Sequence, residues 1–400
     1  MGLAAELRDY RLGLVSPLVS AHGVVDHRQG VLLSISDGAD IGWGEAAPMP
    51  GWSRESLDDT KTLLVSIAPR LAGMDSIDDP RFGTLLTELE ARPHARAAVA
   101  GAALDLLARS HKVSIASLLE VLRGLGSTSA ALPRTEPDAP RSLLVEGWVS
   151  QGQPDTPRSV LVEGWVSQGQ ADAPRSVLVS GLVSDRRPEA VANAAAELVL
   201  QGLSAVKLKV AATDPRTDLA RVAAARAAIG DEIELRLDAN GGWDADTAIA
   251  TLRSMARYNV AFCEEPTAGI GGIAEVGAAS AIPVAVDESA ATLSDVAAAL
   301  RTGTISVVVI KPQSLGGSDL ALAAVALVEE FGADAMVTTM IDSAVGVAHA
   351  AHVAAALMPE QAHGLATSAL LAEDAALRLK VEGGRLHLPQ TPGLGVSPTR

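Results

Sequence analysis

A single cysteine, Cys263, among 400 residues excludes an internal disulfide framework and fits a reducing compartment. Aromatic residues make up 2% of the chain while 48% of it is hydrophobic, so the core has to be assembled from Ala, Val and Leu. Basic residues are outnumbered, 32 against 48 acidic ones, for a net charge of −16. That argues against a nucleic-acid partner or an anionic membrane surface, since both need basic patches. The longest uncharged run, between Asp342 and Glu360, has 17 residues against the roughly 20 a spanning helix needs. It carries His349, His352 and Gly346, which suits a buried helix packed in the core. Met1–Arg11 holds Glu6, Arg8, Asp9 and Arg11 where a signal peptide would be apolar. A cytoplasmic protein is expected.

Tyr10–Ala47 alternates apolar and polar residues around Ser36-Asp37-Gly38, the pattern of a short antiparallel meander. Pro48–Gly51 is a loop, Ser53 with Glu55 opens a helix running to about Leu71, and a second helix is predicted from Pro93 to Arg109. Residues 1–132 therefore form an α+β unit of their own. Residues 133–174 follow as a tandem-duplicated insert: RSLLVEGWVSQGQ, RSVLVEGWVSQGQ and RSVLVSGLVSD begin at Arg141, Arg158 and Arg175, a period of 17. This is shorter than a solenoid repeat and reads as a duplicated strand and turn. Only the third copy runs directly into the next helix, so it is expected to supply the working strand.

From Val177 the pattern becomes periodic. Strands are predicted at 177–183, 203–210, 233–238, 260–264, 283–287, 305–311, 334–339 and, weakly, 363–367. Between them lie Ala-rich helical patterns at 187–201, 214–229, 245–258, 271–280, 293–302, 316–331 and 343–357. Seven or eight such units in succession over residues 175–370 argue for a parallel barrel over an open sheet. Leu377–Leu388, within the last segment 371–400, reads as strands returning to the N-terminal unit.

Charged residues collect where these strands end, the face on which barrel sites are built. Alternation puts Lys207 and Lys209 on one strand face, and Arg236, Asp238 and Asn240 share a face on the next. From Lys209 to Asp238 is 29 residues, then 26 to Glu264, 23 to Asp287 and 24 to Lys311: one βα unit per step. Three carboxylates at one barrel mouth cannot all ionise unless a cation holds them, and oxygen ligands of this number suit Mg²⁺ with positions left open. A lysine beside a divalent cation in a partly dry site is expected to have a lowered pKa and to serve as a base. The alternative is a ring of inward salt bridges; buried ion pairs seldom add net stability, which disfavours it for five residues at one spacing. Alternation turns Glu265 and Glu288 outward. The loop Pro48–Arg54 is placed to close over the mouth, or else simply connects strand to helix. His349 and His352 fall on a helix behind the barrel and are expected to be core.

The set Lys-x-Lys, Asp-Ala-Asn, Glu-Glu-Pro, Asp-Glu-Ser and Ile-Lys-Pro resembles the enolase superfamily in its muconate-lactonising subgroup, a superfamily known for a Lys or His base with Mg²⁺. The resemblance is loose over 1–132, close over 175–400, and absent from the insert. It implies an α/β fold, a modified (β/α)7β TIM-like barrel, with an α+β capping domain from the N-terminus and the C-terminal segment. It further implies that Asp238, Glu264 and Asp287 bind Mg²⁺, with Mn²⁺ as a substitute. Lys209 and Lys311 would flank the α-carbon of a small carboxylate substrate, Lys207 would support Lys209, and Asn240 would sit close to the metal.

Trp43–Pro48, Arg236–Asn240 and Asp342–Gly346 are most similar to the o-succinylbenzoate synthases of menaquinone biosynthesis, in which the backbone around Thr338, Thr339 and Met340 would receive the succinyl carboxylate. N-acylamino acid racemisation needs the same five residues. Dipeptide epimerases carry an Asp-x-Asp pair that Gly364–Ser368 lacks, and Thr338–Asp342 lacks the histidine base of mandelate-type enzymes. An inactive scaffold whose insert recruits a partner is the reading from a different class.

Overall fold

The computed structural model describes residues 2–20, 23–129 and 174–399; the first two repeat copies lie outside the described residues. The chain opens with an antiparallel sheet in the order β1 (Ala4–Ser20), β2 (Gly23–Ser36), β3 (Ile41–Ala46). The β2–β3 turn is closed by Asp37, whose carboxylate accepts from the Ala39 and Asp40 amides at 2.9 and 2.8 Å. Four helices follow: α1 (Leu57–Ala72), α2 (Pro80–Glu88), α3 (Pro93–Ser110) and α4 (Ile115–Ser129). The first begins later than expected, because Ser56 is its cap and Ser53 instead accepts from the Met49 amide inside the loop. Glycines at alternate positions of β3 let α3 lie directly on the sheet. A Cβ on Gly44 would fall 2.0 Å from the Ala98 carbonyl oxygen, and one on Gly42 2.1 Å from that of Ala102.

The third repeat copy supplies β4 (Ser176–Leu178) and β5 (Ser180–Val183). Six parallel strands continue from β5: β6 (Ala205–Lys209), β7 (Glu234–Asp238), β8 (Val260–Glu264), β9 (Val284–Val286), β10 (Val307–Ile310) and β11 (Asp334–Val337), each hydrogen-bonded to the next. Helices α5 (Pro188–Leu200), α6 (Pro215–Ile229), α7 (Ala245–Met255), α8 (Ile270–Ala279), α9 (Leu293–Arg301), α10 (Pro312–Leu315), α11 (Ser318–Glu330) and α12 (Ala344–Leu357) cover the outside. Side-chain caps start several of them where the sequence offers Asp, Ser or Thr: Asp214, Asp244, Thr292 and Ser343.

The ring is joined by two residues. His363 bridges to Val179 and Gly364 to Thr338, with the Ser180 amide donating to the His363 carbonyl at 2.8 Å and the Gly364 amide to that of Val337 at 2.9 Å. The predicted last strand thus shrinks to its first residues, since Ala366–Leu370 winds into a 3₁₀ turn. Phe262, Ala285, Val307, Val309 and Met336 fill the barrel interior. Arg236 plugs its lower end over the Phe262 ring, donating to the Ala362 carbonyl at 2.7 Å, so it lies away from the mouth.

The C-terminal strands correct the expectation for Leu377–Leu388: β12 (Val381–Glu382) pairs with β13 (Arg385–His387), and β13 pairs with β4. The contacts with the N-terminal layer come from flanking loops, through Leu371 bridging Leu14 and Gly393 bridging Ser114. Cap and barrel are clamped by Arg96 on α3, which pairs with Asp319 on α11 with both side chains fully buried. Among the described residues no helix is long and apolar enough to cross a membrane.

Candidate active site

The strand ends converge as their spacing required. Lys207 and Lys209 both project inward from β6, and Asp238 lies beside Lys209 in register on β7, followed by Glu264 on β8. The Lys207 ammonium donates to the Asp238 Oδ2 at 2.8 Å and to the Glu264 carboxylate at 2.9 and 3.0 Å. Lys209 Nζ donates to the same Asp238 oxygen at 2.7 Å and to Asn240 Oδ1 at 2.5 Å. Across the mouth, Lys311 Nζ lies 2.7 Å from Asp287 Oδ2 and 3.4 Å from Glu288 Oε1. Asn240 takes a left-handed conformation, φ +45°, which Asn tolerates better than most residues. This returns its amide N–H to Asp238 Oδ1 at 3.1 Å.

All of these groups except Glu264 line one cavity of about 670 Å³, together with Met49 and Trp52 from the loop after β3 and Thr338–Ile341 after β11. The Trp52 ring stands 5.9 Å from Lys209 Nζ, so this loop lies over the mouth. Arg28, from β2, ties the loop down by donating to the Ala47 carbonyl at 2.6 Å and, on the barrel side, to that of Ile341 at 3.2 Å. Glu45 fastens the same region: it accepts from the Ser343 and Gly346 amides at the start of α12, at 3.0 and 2.6 Å, and from the Tyr10 hydroxyl.

Glu288 corrects the sequence reading. β9 ends at Val286, so strand alternation no longer governs residue 288, and its side chain lines the cavity. Glu265 does turn away. Its carboxylate accepts from the Asp287 and Ser289 amides at 3.0 and 2.8 Å, and burial foremost pushes it up to about 7. His349 and His352 are core, as expected, engaged with the carbonyls of Trp43 and Leu394.

The electrostatics of the mouth follow from crowding. Three ammonium groups, Lys207, Lys209 and Lys311, face four carboxylates, Asp238, Glu264, Asp287 and Glu288. Burial works against the Asp238 anion, but Lys207 and Lys209 outweigh it and hold the group well below the usual carboxylate range. Burial first, and then the neighbouring charge, raises two of the other three: Asp238 acts on Glu264, and Glu288 on Asp287. Burial also works against the Glu288 anion, but Lys311 outweighs it and Glu288 is lowered. For Lys207 and Lys311 burial is also the largest influence and pulls them down. The carboxylates around them prevail, and both are raised; with acidic neighbours this is the opposite of the lowering expected beside a divalent cation. No three acidic, imidazole or thiol groups among the described residues stand as a ready-made ligand set, and Lys207, Lys209 and Lys311 engage the carboxylate oxygens. The donor set still fits a divalent cation. All its members are hard oxygens, negative charge exceeds positive, and Glu288 Oε2 is buried without a hydrogen-bond partner among the described residues.

Comparison with known proteins decides the family. Residues 190–400 match the sequence family described as Enolase C-terminal domain-like, and residues 3–79 the one described as MenC, N-terminal domain. The chain belongs to the enolase superfamily. Within it, the muconate-lactonising subgroup is the one its relatives support.

The chain is 38% identical over 177 residues to the o-succinylbenzoate synthase of Thermobifida fusca (strain YX), covering 43% of this chain and 55% of that protein. It is 31% identical over 222 residues to the L-Ala-D/L-Glu epimerase of Bacillus subtilis (strain 168), covering 52% and 58%. The chain thus spans little more than half the length of these two curated relatives. The solved dipeptide epimerase of Enterococcus faecalis V583, complexed with Mg and the dipeptide L-Leu-L-Tyr, superposes with a TM-score of 0.80. It is 22% identical, with 99% of this chain and 100% of that one covered, a likeness of fold.

Proposed function

We propose that this superfamily member removes the proton from the carbon next to a carboxylate, and that its reaction is the syn dehydration of 2-succinyl-6-hydroxy-2,4-cyclohexadiene-1-carboxylate to o-succinylbenzoate. The observation that carries the chemistry is the placement of Lys209 and Lys311 on one cavity, each beside a different acidic strand end. Asp238, Glu264 and Asp287 would hold Mg²⁺ or Mn²⁺, which supplies positive charge to the substrate carboxylate when bound. The Lys209 amine accepts the α-proton, and the C–H electron pair moves toward the carboxylate. Lys209, now protonated, returns that proton to the departing hydroxyl on the same face, so that water leaves and the ring becomes aromatic. Lys311 stays charged beside the growing negative charge; fixed charges of this kind supply the largest catalytic contribution in many enzymes. Lys207 holds Asp238 and Glu264 together.

Two findings support dehydration as the specific reaction: the cap residues 3–79 match the MenC, N-terminal domain family, and the first relative above is an o-succinylbenzoate synthase. The second reading, racemisation of an N-succinylamino acid, draws on the same pair of lysines, one for each face of the α-carbon. Epimerisation of dipeptides is less well supported, because Gly364–Ser368 contains no acidic residue to hold a substrate ammonium. A side-by-side rate measurement on the cyclohexadiene and a panel of N-succinylamino acids, with Mg²⁺ present, tests the assignment. Turnover of the amino acids alone would replace dehydration by racemisation, and turnover of neither would overturn both.

A further inference from the structure

Lys209 is the last residue of β6, and the group that holds its backbone lies on the far side of the strand from the cavity. β5 pairs with β6 only as far as Val183 opposite Leu208, so beyond Leu208 that edge of β6 has no ladder partner. Arg221 of α6 takes the place of the missing strand. Its Nη2 donates to the Lys209 carbonyl at 2.8 Å, its Nε to the Asp185 carbonyl, just past the end of β5, at 2.8 Å, and its Nη1 to Asp218 Oδ1 at 2.7 Å.

Asp218, one turn earlier on α6, holds the exit from the strand. Its Oδ2 accepts from the Ala211 amide at 2.8 Å and its Oδ1 from the Thr213 hydroxyl. Ala211 sits at φ +64°, a left-handed conformation that an L-residue other than glycine adopts only when its surroundings enforce it. Asp218 and Arg221 are 0% and 1% exposed, and neither lines the cavity. An Arg whose fork is divided between one carboxylate and two backbone carbonyls has a geometry that a lysine cannot reproduce.

We propose that Arg221, oriented by Asp218, is a positioning residue for Lys209. It sets where the strand ends and so where the Lys209 ammonium stands relative to Asp238 and Asn240. This rests on reading Lys209 and Lys311 as the two proton-transferring groups. Displacements of about 1 Å at a reacting group cost on the order of 10²-fold in rate, and the effect has a face. Arg221 touches the backbone of Lys209, whereas Lys311 follows β10, at the start of α10, on the opposite side of the mouth.

The test uses the full-length protein with Mg²⁺ in D₂O and the two enantiomers of N-succinylphenylalanine, following loss of the α-proton by NMR. Each enantiomer presents that proton to one lysine, and Lys209→Ala and Lys311→Met identify which. In Arg221→Lys and Asp218→Asn, exchange from the Lys209-facing enantiomer is expected to fall about 10²-fold, while exchange from the other stays near wild type. Arg221→Met serves as a third variant, and urea unfolding reports whether each variant is folded. An equal fall for both enantiomers would assign Arg221 a purely structural role and overturn the inference; so would unchanged exchange from both. Where the wild type dehydrates the cyclohexadiene but exchanges neither enantiomer, the same variants are read on dehydration: kcat is expected to fall about 10²-fold with KM unchanged, and an unchanged kcat would overturn the inference. Absence of both activities in the wild type would overturn the reading of the site itself.

Discussion

The clamp between cap and barrel gives the most direct test of how this molecule is held together. Arg96 and Asp319 are both fully buried; Arg96 Nη1 and Nη2 donate to Asp319 at 3.0 and 2.8 Å, and Nη1 also reaches the Gly316 carbonyl at 2.6 Å. Arg96→Met fills similar space but removes the guanidinium charge from beside the Asp319 carboxylate and its donor from the Gly316 carbonyl. Breaking a buried pair from one side costs about 3–5 kcal/mol. Against a typical total of about 5–15 kcal/mol, that is a large fraction. Replacing both members with apolar residues removes the desolvation penalty along with the attraction. The double variant Arg96→Met/Asp319→Leu should therefore recover most of the loss, since such replacements are often neutral. Equilibrium urea unfolding of wild type, both single variants and the double variant closes the cycle. Single variants losing under about 1 kcal/mol, or a double variant losing as much as the two singles together, would refute the argument that burial makes the pair costly to break.

Lys209→Ala should reduce turnover at least about 10³-fold, and chelation should abolish it in a manner reversed by added Mg²⁺; undiminished turnover in either case would leave the proposed chemistry without support. Burial, chiefly, lowers the pKa of His352 to about 4, below the ordinary 6.5 or so of the unfolded chain. Between these values the unfolded state binds more protons. The stability His352 contributes by staying neutral is thus complete above about pH 6.5 and lost as pH falls through about 4, the loss reaching roughly 2 kcal/mol by pH 5. His352→Asn should shrink the difference in unfolding free energy between pH 7.5 and pH 5 by about that amount; an unchanged difference would contradict the sign or the site. The third repeat copy alone forms β4 and β5, so deleting Arg141–Pro174 should leave a folded protein with unchanged turnover. Loss of the cooperative unfolding transition in the deletion variant would assign the upstream copies a structural role.

Much of the site was legible because two periodicities survive in the chain. Side-chain alternation put Lys207 and Lys209 on one face, and recurrence of the βα unit put Asp238, Glu264, Asp287 and Lys311 at equivalent strand ends. Both are local properties, carried by residues within a few positions of each other. Glu288 escaped because alternation stops where β9 stops, at Val286, and only backbone geometry decides where a residue past a strand end points. The last strand was misjudged for a related reason: His363 and Gly364 make the closing bridges to Val179 and Thr338, and the chain then winds into a 3₁₀ turn.

Composition and spacing by themselves determined the barrel, the ring of charges at its mouth and, through a single cysteine, the exclusion of an internal disulfide framework. Tertiary structure decided what the charges lean on. Glu45 reaches Ser343 across 298 residues, Arg96 reaches Asp319 across 223, and Arg28 reaches Ile341 across 313. No local pattern encodes such contacts, because each exists only when two layers distant in sequence meet and a buried polar group has to find its partner from the other side.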